Sequence, residues 1–202
     1  MDQFQMEMPD WLEEIKTTGL NYKVPIIDDD MGRFLRIICS LKKPGKILEI
    51  GCGISYATHW MLLGSPESEI TGLDYNADRL KFCRNFLKKS GFSKKVSLER
   101  IWANDFFEKN DTTFDLILQD STKKDYAGMI ESCYQCLNTN GLLIVDNIFF
   151  NQKVFGLLPE QEKKYKKAVL ALEQFNQEIS QHPGFSCHFL AISDGVLIAQ
   201  RK

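Results

Sequence analysis

The sequence predicts an α/β fold: a doubly wound, Rossmann-like, mostly parallel sheet of seven strands, with helices on both faces and a C-terminal antiparallel hairpin. One observation is that short apolar runs alternate with longer segments of helical spacing, as in parallel sheets. A second is that Gly51 and Gly53 lie between the first apolar run and a helical segment. The third is a pair of C-terminal apolar runs, Phe185 to Ile192 and Val196 to Ala199, joined by Ser193-Asp194-Gly195, which indicates a hairpin.

Length and composition limit what the chain can be. Its 202 residues suit a single domain, 1–202, in which residues 1–23 form an N-terminal flap or docking segment. An apolar fraction of 44% and a charged fraction of 26% are ordinary for a soluble globular protein. The net charge of −2 gives no electrostatic reason to expect a nucleic acid partner. We expect no membrane association, because no apolar run is long enough to span a bilayer.

The six cysteines are scattered through apolar segments. This usage predicts buried free thiols and a cytoplasmic location, since disulfides are rare in reducing compartments. The spacing Cys133-x-x-Cys136 falls within a predicted helix and has no second pair of cysteines. Core packing therefore explains it better than a redox or zinc site does.

The N-terminal part of the chain predicts two helical segments. Trp11 to Ile15 is a short amphipathic stretch, and Lys16 to Lys23 is polar and irregular. Asp28 to Asp30 precede apolar residues at helical spacing, so three acids stand at a helix start, where the helix dipole favours negative charge. A metal site made from these acids is an alternative, and helix capping is the favoured interpretation.

The segment Lys46 to Tyr56 organises the rest of the sequence. Its apolar residues form a buried strand that stops at Gly51, and a helix pattern begins at Ala57. Ligands of doubly wound folds bind at the carboxyl ends of such strands. A dinucleotide fingerprint requires a third glycine at the sixth position of the turn, where this chain has Tyr56, which argues against a pyrophosphate ligand.

The second and third strands supply further candidates for the same site. Ile70 to Leu73 predicts a strand that ends at Asp74, about 20 residues beyond the glycine turn, where the fold places an acid on ribose hydroxyls. Asp74 could instead cap the next helix, but Asn76 already offers a cap. Val96 to Ile101 predicts the third strand, and Ala103 lies just beyond its end.

Polar side chains follow the fourth and fifth strands. Phe114 to Leu118 predicts a strand that leads to Gln119-Asp120, and a helix from Tyr126 to Leu137 follows. Leu142 to Val145 predicts the fifth strand, which ends at Asp146-Asn147. A long helix over 160–180 comes next, with Tyr165, Val169, Leu172 and Phe175 as its expected buried face.

Three oxygen ligands from neighbouring strand ends suit a hard cation, Mg²⁺ or another such as Ca²⁺, because no His or Cys stands beside Asp120, Asp146 and Asn147. Such a cation lowers the pKa of a hydroxyl that binds to it. Lys123 lies three residues beyond Asp120, where it could accept the proton or hold the charge. Lys124 is the alternative residue for that role.

Two segments resemble one family closely. FDLILQDSTKKDY and GLLIVDNIFFNQKV are similar to blocks of the metal-dependent O-methyltransferases of the catechol and caffeoyl-CoA type, and the likeness extends over roughly residues 24–202. The resemblance implies transfer of the methyl group of S-adenosylmethionine (SAM) to a hydroxyl of a small aromatic, catechol-like diol, with Mg²⁺. It implies that Asp120, Asp146 and Asn147 are metal ligands and that Lys123, Asp120 and Asn147 are catalytic.

The pattern E-x-G-x-G at the end of the first strand also resembles motif I of SAM-dependent methyltransferases. The resemblance implies a set of cofactor-binding residues: Val24, Glu49, Gly51, Gly53, Tyr56, Asp74, Ala103 and Asp120. Of these, Val24 and Tyr56 are expected near the methionine end of SAM. Several residues depart from the family, among them Ser55, Ala57 and Trp102. Ser55 stands where glycine is frequent, and Trp102 precedes Ala103, where it either stacks near the adenine or fills space.

Several alternatives stay open from the sequence. Phe149 and Phe150 form either an aromatic wall for a flat substrate or part of the core. The chain could bind SAM without catalysis, or act on another acceptor, and a nicotinamide-linked oxidoreductase on the same fold is a weaker alternative. A homodimer is also left open.

Overall fold

The computed structural model describes residues 8–202. Its helices are α1 (Asp10–Asn21), α2 (Asp29–Lys42), α3 (Tyr56–Gly64), α4 (Ala77–Ser90), α5 (Ala103–Lys109), α6 (Ile130–Cys136) and α7 (Pro159–Gln181). Its strands are β1 (Lys46–Ile50), β2 (Glu69–Leu73), β3 (Val96–Glu99), β4 (Phe114–Gln119), β5 (Leu137–Asp146), β6 (Phe185–Leu190) and β7 (Val196–Arg201). Short 3₁₀ turns lie at Lys123–Asp125, Ala127–Met129 and Lys153–Phe155.

The seven strands form one sheet in the order β3-β2-β1-β4-β5-β7-β6. Strands β1 to β5 pair in parallel, whereas β7 runs antiparallel to both β5 and β6. The chain changes direction across the sheet between β1 and β4, and such a switch point opens a crevice at the carboxyl ends of the strands. The predicted fold class and the C-terminal hairpin are confirmed.

Apolar side chains of the central strands alternate between two core layers. In β1, Leu48 packs with the layer that includes α6 and α7, and Ile47 packs with the layer that includes α1, α2 and α3. In β4, Ile117 packs with the layer of α6 and α7, and Leu118 packs with the layer of α1, α2 and α3, because successive side chains of a strand point to opposite faces. The helices therefore cover both faces of the sheet, as predicted.

Helix α1 is longer than the sequence pattern indicates. The pattern predicts irregular structure from residue 16 to residue 23, whereas α1 continues to Asn21. Its buried residues are Leu12, Ile15 and Gly19, which lie on one helical face. A Cβ at Gly19 would come within 3.0 Å of Ile26, so this glycine permits close packing and does not end the helix. Helix α1 packs against α3 and α4.

Three other segments differ from the sequence prediction. Strand β3 ends at Glu99 instead of Ile101, and α5 follows it where no helix was predicted. The predicted helix Tyr126 to Leu137 consists of one 3₁₀ turn, Ala127–Met129, and the shorter α6, after which Leu137 already pairs with Phe114 in the sheet. A register shift separates the pair of Leu137 and Phe114 from the apolar residues of β5. The apolar pattern alone therefore does not predict that β5 begins at Leu137.

Helix α7 matches its predicted span closely, and its buried residues are Val169, Leu172, Phe175 and Ile179. Tyr165, which the pattern predicts on the buried face, is only half-buried, and its ring lies beside Phe150 and Lys153 near the start of the helix. Within residues 8–202, no helix combines the length and the apolar character needed to cross a bilayer.

Candidate active site

A cleft of about 340 Å³ opens at the carboxyl ends of β1, β2 and β4. Seven of the residues predicted from the sequence line it: Gly51, Gly53, Asp74, Ala103, Asp120, Lys123 and Asn147. Pro25 and Met129 also contribute to the lining. The crossover between β1 and β4 produces this cleft, since the two turns that follow these strands diverge above the sheet.

The glycine turn after β1 is held against the turn after β4. The amides of Gly51 and Cys52 both donate to the carbonyl of Leu73, at 2.9 and 3.0 Å. Gly51 has a φ of +94°, and a Cβ there would collide with the carbonyl oxygen of Asp120. A side chain at this position would therefore be strained and would push the two turns apart. Gly53, with a φ of +53°, donates its amide to Asp74.

Asp74 joins the glycine turn to the start of α4. Its carboxylate accepts hydrogen bonds from the amide of Gly53 at 3.1 Å and from the amide of Asn76 at 2.8 Å. The guanidinium of Arg79 lies 3.7 Å away. The cap of α4 is Asn76, whose side chain accepts from the amides of Asp78 and Arg79. Asp74 is therefore not needed as the cap, and its side chain lines the cleft.

Glu49 lies beneath the turn and outside the lining of the cleft. Its side chain is buried, and Thr58 of α3 donates a hydrogen bond of 2.5 Å to it. Burial raises the pKa of the Glu49 carboxyl to about 8, despite the hydrogen bond from Thr58. Glu49 thus connects β1 to α3 from below, and its contact with a cofactor stays a prediction.

The two residues predicted at the methionine end lie beside the cleft, not on its surface. Tyr56 is buried, and its hydroxyl donates to Asp29 at 2.9 Å. Val24 is half-buried against the apolar core layer of α1 to α3, and its neighbour Pro25 lines the cleft instead. Asp28 is the N-cap of α2 and accepts from the amide of Met31, so this acid caps the helix as the sequence indicates, while Asp29 and Asp30 lie in the first turn.

Two carboxylates and a carboxamide lie together at the ends of β4 and β5. Asp146 is buried and accepts a hydrogen bond of 2.7 Å from the amide of Asn147. Burial, followed by the negative charge of Asp120, raises the pKa of Asp146 to about 7. Burial also raises the pKa of Asp120, and the positive charge of Lys123 opposes that effect. The two acids are thus close enough to repel each other.

Lys123 is the cation of this group. Its ammonium donates a hydrogen bond of 2.9 Å to Oδ1 of Asn147 and lies 5.9 Å from the centre of the Tyr126 ring. Lys124 is exposed and does not line the cleft, so the geometry favours Lys123 over its neighbour. In the described part of the chain, no group of three or more His, Cys, Asp or Glu side chains could hold a metal ion; this set has two carboxylates and one carboxamide.

Tyr126 supports the site from within the core. It is fully buried, and its hydroxyl donates to the carbonyl of Asp146 at 3.4 Å. Its ring packs edge-on against Phe175 of α7, with centroids 5.5 Å apart. The tyrosine of the D-x-x-K-x-x-Y block therefore links the segment after β4 to the end of β5.

Sequence reasoning missed several residues that line the cleft. Tyr75 stacks on Trp102 at its edge, and Arg79 lies beside Asp74. The hydroxyl of Ser121 is buried in the cleft without a hydrogen-bond partner among the described residues. Each of these residues lies one to five positions from a predicted site residue, and that proximity is the one signal that could have found them.

Phe149 and Phe150 follow Asn147 in the chain, beyond the end of β5. The ring of Phe149 packs against Phe155, with centroids 5.1 Å apart, and against Gly195 of the hairpin turn. Phe150 lies edge-on to Tyr165. Both rings are half-buried at the edge of the core, so each combines packing with an accessible surface.

The fold and the site define an α/β enzyme of the methyltransferase class. Its features are a parallel sheet with one antiparallel strand inserted beside β5, a glycine turn after β1 and an acid at the end of β2. The family comes from sequence comparison: the model of the O-methyltransferase family matches residues 4–202. The chain belongs to this family, as the sequence motifs predicted.

Curated relatives agree with this assignment. Caffeoyl-CoA O-methyltransferase 1 of Arabidopsis thaliana is 24% identical, over 96% of this chain and 78% of its own length. Tricin synthase 1 of Oryza sativa subsp. japonica is 22% identical, over 85% of this chain and 73% of its own length. These matches give no support to the alternative of a nicotinamide-linked oxidoreductase.

Solved structures show the same fold. The Podospora anserina methyltransferase PaMTH1, solved with S-adenosylhomocysteine (SAH) bound, has a TM-score of 0.89 and 25% identity, over 100% of this chain and 92% of its own. An O-methyltransferase of Bacillus cereus in complex with SAH has a TM-score of 0.87 and 20% identity, over 99% and 94%. The second likeness concerns the fold alone.

Proposed function

We propose that this chain transfers the methyl group of SAM to one hydroxyl of a small aromatic diol, in a reaction that depends on a divalent cation. One observation carries the proposal: Asp120, Asp146, Asn147 and Lys123 converge at the ends of β4 and β5. They lie beside the glycine turn, which packs directly against Asp120.

The cleft fits a nucleoside cofactor in size and in polar groups. Asp74, at the end of β2, has a carboxylate that could accept from two ribose hydroxyls. Gly51 and Gly53 leave the turn free of side chains, so a ligand can approach the backbone closely. The unpartnered hydroxyl of Ser121 offers a polar contact that the protein itself does not satisfy. Ala103 completes the lining toward the expected position of the adenine.

The acid cluster fits a hard divalent cation by the chemistry of its donors. Carboxylate and carboxamide oxygens are the ligands that Mg²⁺ and Ca²⁺ prefer. Burial and mutual repulsion raise the pKa of Asp146 to about 7, and the positive charge of Lys123 opposes the upward shift of the pKa at both acids. A divalent cation held by Asp120, Asp146 and Asn147 would relieve that repulsion.

The side chains of this site would divide the chemistry between them. When bound, SAM supplies an electrophilic methyl group, and the cation supplies positive charge that favours the ionised hydroxyl. As a neutral amine, Lys123 would accept the hydroxyl proton; as an ammonium, it would instead stabilise the resulting negative charge. Asn147 would position the side chain of Lys123 through the hydrogen bond between them. Tyr126 would support this arrangement through its hydrogen bond to the backbone of Asp146. Much of the rate acceleration would come from holding the reactants in line.

The acceptor class follows from the resemblance and from the aromatic side chains beyond β5. Phe149 and Phe150 give an aromatic surface next to Asn147 for a flat ring. Two vicinal hydroxyls could fill two of the positions that three protein ligands leave on a six-coordinate cation. The relatives named for caffeoyl-CoA and tricin belong to the same family. A cytoplasmic location is also part of the proposal, because all six cysteines are free; a homodimer stays a prediction.

Methyl transfer to catechol in the presence of Mg²⁺ or of a chelator tests the proposal. We expect turnover by the wild-type protein only with the cation. Asp146→Asn should lower the cation-dependent rate by about 100-fold or more, because it removes one charged ligand. Binding of SAH, measured by calorimetry, should change by less than about 3-fold, because Asp146 lies outside the lining of the cleft.

The matched control is Asp111→Asn, which changes an exposed acid at the opposite end of the sheet, before β4. It should keep both the rate and the affinity for SAH. Full wild-type activity in chelator, or an unchanged rate in Asp146→Asn, would contradict the role of the metal.

A further inference from the structure

The hairpin turn between β6 and β7, residues 193–195, is bonded to the loop that follows β5, residues 147–152. The carbonyl of Asp194 accepts a hydrogen bond of 2.9 Å from the amide of Phe149. Its carboxylate accepts a second one, of 2.5 Å, from the amide of Asn151. Asn151 and Asp194 are 43 positions apart in the sequence, so only the folded chain brings them together.

Gly195, the next residue of the hairpin turn, makes two further contacts with this loop. Its carbonyl accepts a hydrogen bond of 3.1 Å from the amide of Ile148. A Cβ built at Gly195, which has a φ of +82°, would come within 2.4 Å of the ring of Phe149. The hairpin turn therefore holds both the backbone and the ring of Phe149.

The loop has a backbone conformation that its own residues do not all favour. Four of its residues have φ values between +50° and +61°: Asn147, Phe150, Asn151 and Gln152. Asparagine tolerates the left-handed region, whereas a bulky residue such as Phe150 rarely adopts it. Such conformations persist only where surrounding contacts hold them. Phe149 and Asn151 flank Phe150, and both donate their amides to the same residue of the hairpin turn.

The carboxylate of Asp194 also lies near the cations on this side of the molecule. Asp194 is half-buried, and burial raises the pKa of its carboxyl. The amide of Asn151 and the positive charges of Lys123 and Lys153 oppose that shift of the pKa. Asp194 does not line the cleft proposed for the cofactor. It is thus close to the proposed proton acceptor and outside the cofactor surface.

We propose that Asp194 is a positioning residue for the acceptor; this inference rests on the proposed function, in which Phe149 and Phe150 contact the acceptor ring. The two hydrogen bonds of Asp194 fix the loop against the end of β5, so both rings are held beside Asn147. An acceptor then meets a surface that is already ordered, and less conformational freedom is lost when it binds. The role is limited to the acceptor, because residues 148–152 also lie outside the lining of the cleft.

Asp194→Ala tests this role in kinetics with catechol and Mg²⁺ and in calorimetry with SAH. The variant removes a hydrogen bond to a charged group, so the KM for catechol should rise by about 10-fold. The kcat should change by less than about 3-fold, because the loop contributes to binding of the acceptor and not to the chemical step. The Kd for SAH should stay within about 2-fold of wild type.

Two further variants separate the hydrogen bond from other effects. Asp194→Asn keeps an oxygen that can accept from the amide of Asn151, so its KM should stay within about 3-fold of wild type. Ser193→Ala is the matched control in the same turn. It removes the hydrogen bond that the exposed Ser193 donates to Asp28 and leaves both bonds of Asp194 in place. Its KM should stay within about 2-fold of wild type.

Hydrogen exchange gives a readout that needs neither cofactor nor acceptor. The amide of Asn151 loses its partner in Asp194→Ala, so the peptide of residues 148–153 should exchange about 10-fold faster than in the wild type. Peptides from β1 and α3 should keep their wild-type rates. In Asp194→Asn all of these peptides should exchange as in the wild type.

Four results would overturn the proposal. The first two are a KM within about 2-fold of wild type in Asp194→Ala and a loss of SAH affinity as large as the rise in KM. The third is faster exchange throughout the chain, which would make Asp194 a residue of general stability. The fourth is an equal KM in Asp194→Ala and Asp194→Asn, which would assign the effect to charge.

In each of these cases the wild-type protein still methylates catechol, and the proposed function stands. A wild-type protein that binds SAH and does not methylate catechol would overturn the proposed acceptor class and this inference together.

Discussion

The ammonium of Lys123 lies 2.9 Å from Oδ1 of Asn147, and this hydrogen bond connects the turn after β4 to the turn after β5. The two residues are 24 positions apart in the sequence. The contact places the proposed proton acceptor and a proposed metal ligand on the same side of the cleft. It also distinguishes Lys123 from Lys124, which is exposed and does not line the cleft.

Lys123→Met should lower the methyl-transfer rate far more than it weakens SAH binding. The loss of a positioned acid–base group lowers a rate by about 10²- to 10⁴-fold. Lys124→Met, which removes the neighbouring ammonium, should leave the rate within about 3-fold of wild type. Steady-state kinetics with calorimetry would separate the two quantities. Equal losses of rate and affinity in Lys123→Met would argue against a role in proton transfer.

Gly51→Ala should disrupt both the fold around the turn and the cofactor site. A Cβ at Gly51 would collide with the carbonyl oxygen of Asp120, and the φ of +94° is unfavourable for alanine. Strain of this kind is of order 1–3 kcal/mol, so the free energy of unfolding should fall by at least that amount. Urea unfolding measures the stability, and titration with SAH measures the affinity.

The control for this variant is Gly128→Ala. No atom lies within 4 Å of a Cβ built there. This change should leave the free energy of unfolding within about 0.5 kcal/mol of wild type. Equal stability of the two variants would mean that the packing of the glycine turn on Asp120 is not required.

The pH dependence of stability should reveal the buried carboxyl of Glu49. Burial raises its pKa to about 8 in the folded state, from the usual value of 4.5. A raised folded-state pKa stabilises the fold below the unfolded-state pKa, and that contribution is lost as the pH rises through the folded-state value. The contribution of Glu49 should therefore decline between about pH 4.5 and pH 8, by as much as about 5 kcal/mol for the whole shift.

Glu49→Gln isolates this contribution, because the amide resembles the protonated acid in size and can still accept from Thr58. The difference in free energy of unfolding between Glu49→Gln and wild type should shift in favour of the variant as the pH rises from 5 to 8. A difference that stays constant over this range would show that Glu49 ionises normally in the folded protein.

The local pattern of the sequence predicted most of the fold and the polar residues of the site. Periods of 2 and 3.6 residues distinguish strands from helices within a window of ten residues, so β1, β4 and α7 could be located without tertiary information. Asp74, Asp120, Asp146 and Asn147 were found because parallel strands end at the same edge of a sheet. The errors occurred where local patterns are weak, as at the short helix α5 and along α1 beyond Gly19.

Only the tertiary structure decided which of these side chains face one another. The pairs Glu49–Thr58, Tyr75–Trp102 and Lys123–Asn147 join different elements, so each depends on strand order and on the shape of two turns. The sequence favours Lys123 only through the family resemblance, whereas the 3₁₀ turn of the folded chain points the two adjacent side chains in different directions. By itself the sequence determined the elements, the family and the residues at the strand ends. The folded chain determined the contacts between them, because such contacts depend on packing between segments that are distant in the sequence.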